Sequence, residues 1–178
     1  NIMSSANTTN ISITKRDGRK EPLDINKLHF VVEEACEGLP GVSASQIEMN
    51  ANIQFYDGMT TKDIQNVLIR SANDLISLET PNYQFAASRL LLYDVRKEAH
   101  GQYEYSPLLK LLLRNVKLGV YDRGIVEKYS KTEIKKLNTW IRRERDLKFT
   151  YAGLRQVVDK YLVQDRSTGE LYETPQDM

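Results

Sequence analysis

The segment that most constrains the fold of this chain covers residues 83–99, which are apolar on most sides of a helix. A surface helix carries its apolar residues in one stripe, so a helix that is apolar nearly all round is typical of the centre of a bundle. Its apolar positions are Ala86, Ala87, Leu90, Leu91, Leu92 and Val95. We therefore expect the other elements of the first hundred residues to pack around this helix.

Apolar periodicity and capping signals predict three helices ahead of this central one. Asp24 is placed to cap the first, and Ser43 or Ser45 begins the second. A sequence similar to a capping box starts the third at Thr60, and we expect that helix to run until residues 81–82 break it. Its apolar stripe is the cleanest in the chain: Ile64, Val67, Leu68, Ala72, Leu75 and Ile76.

A β-hairpin is predicted before these helices. Residues 11–16 alternate between apolar and polar side chains, Asp17 and Gly18 supply a two-residue turn, and residues 19–23 return. Pro22 cannot donate a ladder hydrogen bond, so the returning strand ends there or lies at an edge. The predicted fold is mainly α: a four-helix bundle capped by a small β-hairpin or sheet.

Residues 101–106 are the best candidate for a domain boundary. Ser106 and Pro107 predict a helix N-terminus with proline in the first turn, opening a leucine-rich helix to Gly119. Further elements follow: a short helix at 124–129, a helix after the capping box of Ser130 and Glu133, a helix at 151–161 and a hairpin at 161–173. We therefore expect a disordered arm at 1–10, a first domain at 11–100 and a helical second part at 101–178.

Composition excludes several classes of protein. The 178 residues carry 25 basic and 24 acidic side chains, which is no footprint for binding nucleic acid. Cys36 is the sole cysteine, so an internal disulfide and a thiolate zinc site are excluded, and His29 and His100 add too few ligands for a structural metal cluster. No apolar run approaches the ~18 residues that span a bilayer. We expect a cytoplasmic chain that holds no metal of its own and contacts no membrane.

Two other groups of residues invite a chemical interpretation. Cys36 lies on the apolar face of the first helix, where an unpaired cysteine usually behaves as a small buried hydrophobe, so we expect it in the core. Arg145, Asp146 and Tyr151 lie close in sequence, but no nucleophile accompanies them. We interpret this second group as buried ion pairing and helix capping, and we predict no catalytic residue in the chain.

A set of basic residues is the strongest candidate for a binding site. Lys15 and Arg16 flank the hairpin tip, Lys27 lies in the first turn of the first helix, Thr61 starts the third, and Lys97 is near the end of the fourth. A hairpin folded over the bundle would bring its cations to the helix ends, where they could neutralise a triphosphate. Thr61 and the N–H groups of its helix start would add hydrogen bonds to an anion. Adjacent strand residues point to opposite faces, so Lys15 and Arg16 are not expected on the same phosphate.

The alternative is that these cations have no ligand. Lysine and arginine on a hairpin are most often solvated charges that discourage pairing between sheet edges. The common glycine-rich phosphate loops are also absent from the chain. Spacing alone leaves both interpretations open.

A resemblance to a known family adds to this pattern. Residues 13–27 closely resemble the opening of the ATP-cone domain, which senses ATP and dATP at the overall-activity site of ribonucleotide reductases. Later segments of that domain are matched by residues 55–64, 83–90 and 92–97. The likeness continues to residues 168–176, which are similar to a segment of the large subunit of the class I enzyme of bacterial and phage type.

The resemblance implies a nucleotide-binding site made of Lys15, Arg16, Glu21, Asp24, Lys27, Thr61 and Lys97. Lys15 and Lys97 correspond to phosphate ligands and Thr61 to a phosphate or ribose contact. By the same resemblance, residues 21–27 correspond to a segment that wraps the adenine, with Glu21, Asp24 and Lys27 as its polar contacts. Family members often carry asparagine in place of Asp24, and some bacterial members carry histidines in place of Gln65 and Asp94. A carboxylate near phosphates is unfavourable, so altered dATP inhibition is a consequence to test.

The function implied is that of a regulatory segment. The chain resembles the N-terminal part of the large subunit of class I ribonucleoside-diphosphate reductase, an oxidoreductase that makes deoxyribonucleotides for DNA synthesis. ATP or dATP, with Mg²⁺, would be its allosteric effector. The family's radical and redox cysteines correspond to positions beyond residue 178, so this chain alone is expected to be inactive. The implied partners are the rest of the large subunit (covalent or as a split chain), a second large subunit in a homodimer and the small radical-generating subunit.

Other functions are compatible with an ATP cone. Transcriptional repressors that carry one have a four-cysteine zinc ribbon ahead of it, which Cys36 alone cannot build. A stand-alone nucleotide-sensing cone, a plain helical interaction module and the first chain of a split large subunit stay open. Whether ATP binds at all distinguishes the interaction module from the rest.

Overall fold

The computed structural model describes residues 11–102 and 104–178, so the arm predicted at 1–10 lies outside the described residues. The chain divides into two compact units, one ending at Leu90 and the other running from Leu91 to Met178. The division falls inside a long helix, Tyr83–His100. A domain boundary at residue 100 therefore stays a prediction.

The first unit combines short strands with helices, as the mainly α prediction required. Its strands are β1 (Ser12–Thr14), β2 (Lys20–Pro22) and β3 (Met59–Thr60). Its helices are α1 (Ile25–Cys36), α2 (Ala44–Asn52), α3 (Thr61–Asn73) and the first part of α4 (Tyr83–His100).

The sheet has the order β2-β1-β3, with β1 in the middle. β1 and β2 form the predicted antiparallel hairpin, in which Ile13 lies opposite Glu21. β3 runs parallel to β1 and places Met59 beside Ile13. The sequence did not predict β3, because two residues are too few to show the alternation that marks a strand.

In the first unit, the helix caps are confirmed where the sequence predicted them. The side chain of Asp24 accepts a hydrogen bond from the backbone N–H of Lys27, and Thr60 accepts one from the N–H of Asp63. Ser43, the first of the two candidate residues, caps α2. Each cap satisfies a backbone donor that the first helical turn leaves unpaired.

The predicted end of α3 was wrong. The helix stops at Asn73, well before residues 81–82, and Ile76 is 38% exposed, so the apolar stripe does not continue. Hydrogen bonds of side chains explain the early end. The hydroxyl of Thr80 donates to the carbonyl of Leu75, and the hydroxyl of Ser77 accepts from the N–H of Thr80. Such bonds give the backbone an alternative to the helix.

The core of the first unit lies among the four helices, and α2 packs on both α1 and α3. Side chains with no exposed surface come from every helix: Val32, Ala35, Ile47, Ala51, Leu68, Ala72, Ala86, Ala87 and Leu90. The part of the predicted central helix that lies in this unit, residues 83–90, thus contributes Ala86, Ala87 and Leu90 to the core.

The second unit continues from Leu91 with α5 (Leu108–Lys117), α6 (Gly124–Lys128), α7 (Lys131–Asn138) and α8 (Tyr151–Lys160). Two 3₁₀ helices cover Arg143–Lys148 and Pro175–Asp177. Its largest fully buried apolar side chains are Leu92, Val95, Leu111, Ile134, Leu154 and Leu162. In the described part of the chain, no helix has both the length and the apolar character needed to cross a bilayer.

Two details of the second unit differ from the predictions. Ser106 does not cap α5; Pro107 occupies that position, and the N–H of Leu108 donates to the side-chain oxygen of Asn138 at 2.9 Å. A residue distant in sequence thus supplies the cap. The second predicted hairpin is reduced to a single bridge between Gln164 and Leu171. The capping box of α7 is confirmed.

Candidate functional site

The sheet brings the hairpin tip and the start of α3 to the same end of the first unit. β1 and β3 are parallel, and Thr14 pairs with Thr60, the residue that caps α3. Lys15 and Thr61 are the next residues along their respective chains. The register therefore pairs the residues that directly precede two of the predicted site residues, although the two are far apart in sequence.

Charged side chains of the hairpin form ion pairs with one another. Lys15 Nζ lies 3.5 Å from Glu21 Oε2, and Arg19 lies 3.9 Å from the other oxygen of that carboxylate. The side chain of Lys15 is 29% exposed, whereas Arg16 is exposed at the tip. Lys15 and Arg16 therefore have different surroundings. A phosphate that binds Lys15 must compete with Glu21.

Two polar atoms on the first turns of α3 are buried without a partner. Neither Thr61 Oγ1 nor Gln65 Oε1 has a hydrogen-bond partner among the described residues. Gln65 is only 6% exposed. The two residues are four positions apart and so lie on the same face of the helix. A buried polar group left unsatisfied costs about 1–3 kcal/mol, which a ligand with matching polar groups could offset.

The start of α1 holds two more of the predicted residues. Asp24 Oδ1 accepts a hydrogen bond of 3.1 Å from the N–H of Lys27, so one carboxylate oxygen serves the cap of the helix. Both residues lie at the surface of the unit. Asp24, which the resemblance assigns to adenine contacts, therefore also has a structural role. Its substitution would affect α1 as well as a bound base.

Hydrogen bonds between Ser12 and the loop before β3, which the sequence did not predict, hold β1 in place next to this site. The N–H and hydroxyl of Ser12 donate to Asp57 Oδ1 at 2.8 and 2.7 Å, and the N–H of Gly58 donates to the carbonyl of Ser12 at 2.8 Å. These bonds from Ser12 lower the pKa of the Asp57 carboxyl. They fix β1 to the loop before β3. The Asp57-Gly58 pair is a turn signal that could have indicated this loop.

Lys97 belongs to the second unit and lies in the last turn of α4. One turn earlier, Asp94 is 8% exposed. Both side chains make interactions within the described structure. The assignment of Lys97 to the same ligand as Lys15 and Thr61 remains a prediction from the resemblance.

The prediction for Cys36 was wrong. It is half-buried at the last residue of α1 and lines a surface groove of about 560 Å³, next to Phe30 and Val42. Burial raises the pKa of its thiol to about 11. The thiol is therefore protonated near neutral pH and is a poor nucleophile.

The cluster around Asp146 is built differently from the prediction. Asp146 is fully buried, but it accepts a hydrogen bond from the hydroxyl of Tyr105 at 2.9 Å, and Arg145 is exposed. Burial raises the pKa of the Asp146 carboxyl. Thr150, the residue before Tyr151, caps α8. Across the described residues, no group of three or more His, Cys, Asp or Glu side chains could hold a metal ion.

The comparison with known families agrees with the geometry of the first unit. Residues 11–98 match the family model of the ATP cone domain. Residues 11–98 belong to the ATP cone family. The match begins at the hairpin and reaches the last turn of α4, so the cone includes each of the seven predicted site residues.

Relatives of the whole chain carry the cone in a larger protein. The chain is 45% identical over 167 residues, 94% of its length, to ribonucleoside-diphosphate reductase 1 subunit alpha of Escherichia coli K12. It is 42% identical over 93% of its length to the alpha subunit of Enterobacteria phage T4, and 39% over 94% to that of Helicobacter pylori. The matched region is the N-terminal part of class I alpha subunits. The chain spans about a fifth of the length of these relatives, 22%, 22% and 21% respectively.

Proposed function

We propose that this chain is the regulatory N-terminal region of a class I ribonucleoside-diphosphate reductase alpha subunit, and that its ATP cone binds ATP and dATP as allosteric effectors. The observation that carries the proposal is the match of 94% of the chain to such a subunit, with the cone at residues 11–98. The buried, unpartnered hydroxyl of Thr61 beside the hairpin supports a ligand at this end of the cone.

The residues suit a nucleotide bound as its Mg²⁺ complex. Lys15 and the N–H groups at the start of α3 offer positive charge and donors to phosphate oxygens, and Thr61 adds a hydroxyl. Glu21 and Asp24 offer acceptors to the amino group of adenine, a group that guanine presents differently. In this proposal, Arg16 and Lys27 add charge at the rim, and Lys97 is a further phosphate ligand.

Thermal melting with Mg-ATP, Mg-dATP and Mg-GTP tests this binding. A ligand at about 100 times its dissociation constant stabilises a protein by roughly 2.7 kcal/mol. For a chain of this size, that corresponds to a rise in Tm of roughly 5–10 °C. We expect both adenine nucleotides to raise the Tm and GTP to leave it unchanged. The absence of any shift at millimolar adenine nucleotide would refute a functional site.

Single substitutions test which residues bind the nucleotide. Hydrogen bonds to charged groups contribute roughly 1.5–3 kcal/mol, so Lys15→Ala or Lys97→Ala should weaken ATP binding about 10- to 100-fold. Lys131→Ala is the matched control, because Lys131 is an exposed lysine on α7, outside the cone. Isothermal titration should give Lys131→Ala the affinity of the wild type. If Lys97→Ala also keeps that affinity, Lys97 is not a ligand.

The proposal extends to the intact subunit, which would reduce ribonucleoside diphosphates as a homodimer together with a small radical-generating subunit. The cone would then change the assembly of these subunits when it exchanges ATP for dATP. Sedimentation of the complete enzyme with each nucleotide tests this. Distinct assemblies support an active switch. Identical profiles would mean that the switch has been lost. Gln65→His and Asp94→His would then be the first substitutions to make in order to restore it.

A further inference from the structure

The last turn of α4 is held tightly by residues of the second unit. The guanidinium of Arg96 lies over the rings of Tyr93 and Tyr105, at 4.7 and 4.8 Å from their centroids. Two residues on, Glu98 Oε1 accepts a hydrogen bond of 3.1 Å from the N–H of Leu171. Lys97 lies between these two residues in sequence, so its backbone is fixed on both sides.

His100 completes this attachment. Its Nδ1 accepts a hydrogen bond of 3.0 Å from the N–H of Ser106, which requires Nδ1 to be unprotonated. Nε2 therefore carries the ring proton and donates it to Asp177 Oδ2 at 3.0 Å. Both side chains are fully buried. The helix end is thus connected directly to the segment of residues 171–177, which we call the tail.

Asp177 accepts hydrogen bonds from several residues in and around the tail. Besides His100, its oxygens accept hydrogen bonds from the N–H and hydroxyl of Thr174 at 2.9 and 2.7 Å and from Arg143 Nη1 at 2.6 Å. Thr174 has no exposed surface. Because the carboxylate has all these donors in place, displacing it would leave several buried groups unpaired.

Tyr105 also connects the end of α4 to Arg143, through contacts of its aromatic ring. The guanidinium of Arg143 lies 4.4 Å from its ring centroid, and the edge of the His100 ring packs against it at 5.5 Å. Its hydroxyl donates to Asp146. One tyrosine therefore contacts Arg96, His100 and Arg143 together, so a movement of any of the three must disturb the others.

We propose that the last turn of α4 couples nucleotide binding at Lys97 to the tail, with Tyr105 and Asp177 as positioning residues. This inference rests on the proposed function, because it requires Lys97 to bind the nucleotide. A nucleotide that holds Lys97 also holds the turn that carries Arg96, Glu98 and His100. The tail is then ordered by the nucleotide, and by reciprocity an ordered tail favours nucleotide binding.

Hydrogen–deuterium exchange of the wild-type chain, with and without Mg-ATP, gives the first test. We expect ATP to slow exchange of the tail amides as well as those of the hairpin, since local opening of the tail would require the helix end to move. If ATP slows exchange in the hairpin and leaves the tail unchanged, the coupling is wrong while the proposed function stands. If ATP changes neither, the proposed function itself fails.

Substitutions at Tyr105 give the second test. Tyr105→Leu removes the ring that contacts both guanidinium groups, whereas Tyr105→Phe keeps it. Because coupling is reciprocal, Tyr105→Leu should weaken ATP binding about 5-fold or more and abolish the ATP-dependent protection of the tail. Tyr105→Phe should preserve both properties.

A control separates coupling from a general loss of stability. Val158→Ala shortens a buried side chain of α8 outside the network and lowers the stability of the second unit. It should leave the ATP affinity and the protection of the tail unchanged. The proposal would be overturned if Val158→Ala lost ATP affinity and tail protection to the same extent as Tyr105→Leu. It would also be overturned if Tyr105→Leu lost neither.

Discussion

Lys15 Nζ lies 3.5 Å from Glu21 Oε2, across the hairpin that opens the ATP cone. The resemblance assigns these two residues to opposite parts of a nucleotide, the lysine to phosphate and the glutamate to adenine. In the structure they bind each other. The ion pair positions the lysine side chain, and it also lowers the positive charge that a phosphate would meet.

Glu21→Gln should therefore strengthen ATP binding. The amide keeps an acceptor for adenine but no longer neutralises Lys15, and a partly exposed ion pair contributes about 0.2–1 kcal/mol, so affinity should rise up to about 5-fold. Titration calorimetry at low and moderate salt measures the change. Asp17→Asn is the control, because Asp17 pairs with Arg19 and not with Lys15. Weaker binding by Glu21→Gln would show that the carboxylate charge is itself needed by the ligand.

Thr61→Val should stabilise the cone without nucleotide and weaken its response to nucleotide. The valine has the same shape but lacks the buried hydroxyl that has no partner among the described residues, and removing such a group gains about 1 kcal/mol. Thermal melting with and without Mg-ATP measures both effects. Thr60→Val is the contrasting variant, since it removes the cap of α3 and should lower the Tm. An unchanged ATP-induced shift in Thr61→Val would exclude the hydroxyl from the site.

The contribution of His29 to stability should decline at alkaline pH. Its Nδ1 lies 2.6 Å from Glu48 on α2 and its Nε2 lies 3.0 Å from Glu33, and these carboxylates raise its pKa above the ordinary value of 6.5, with the Glu48 hydrogen bond as the largest cause. The stabilisation is fully present below pH 6.5 and is lost as pH rises through the raised pKa. Urea unfolding of wild type and His29→Gln from about pH 6 to about pH 9 should show a shrinking difference. A constant difference would mean that the histidine charge contributes nothing.

Asp177 should make the second unit sensitive to acid. Burial alone would raise its pKa, but the hydrogen bond from His100, the charge of Arg143 and the bonds from Thr174 outweigh burial and lower the pKa to about 2. A lowered carboxyl pKa means stability that is present above the ordinary value of 3.8 and lost as pH falls towards about 2. Asp177→Asn should be less stable near neutral pH and should lose less stability than the wild type as pH falls through that window. Circular dichroism during acid titration of both proteins measures this, and parallel curves would contradict the assignment.

The parts of the fold that sequence predicted are those set by local chemistry. Asp24, Thr60 and Ser130 were identified as caps because a capping side chain and its backbone donor lie within three residues of each other. The central helix was evident from its apolar residues alone. The hairpin was indicated by its turn. Each of these signals is complete within a short window of the chain.

The parts that could not be predicted depend on residues far apart in sequence. Asn138 caps α5 from another helix, and β3 exists only because β1 lies beside it. The Lys15–Glu21 pair required the hairpin register, and the contacts of Asp177 required the folded position of His100. Ordinary polar residues serve these roles, so composition and spacing gave no sign of them.

The position of β1 between β2 and β3 has a consequence for folding during synthesis. A lone two-stranded hairpin is marginally stable in water, and β1 gains its second neighbour only when residues 59–60 have left the ribosome. Until then the first strand has an unprotected edge, open to strands of other chains. The order in which the cone emerges therefore leaves this edge open to edge-to-edge pairing until the residues just before α3 have been made.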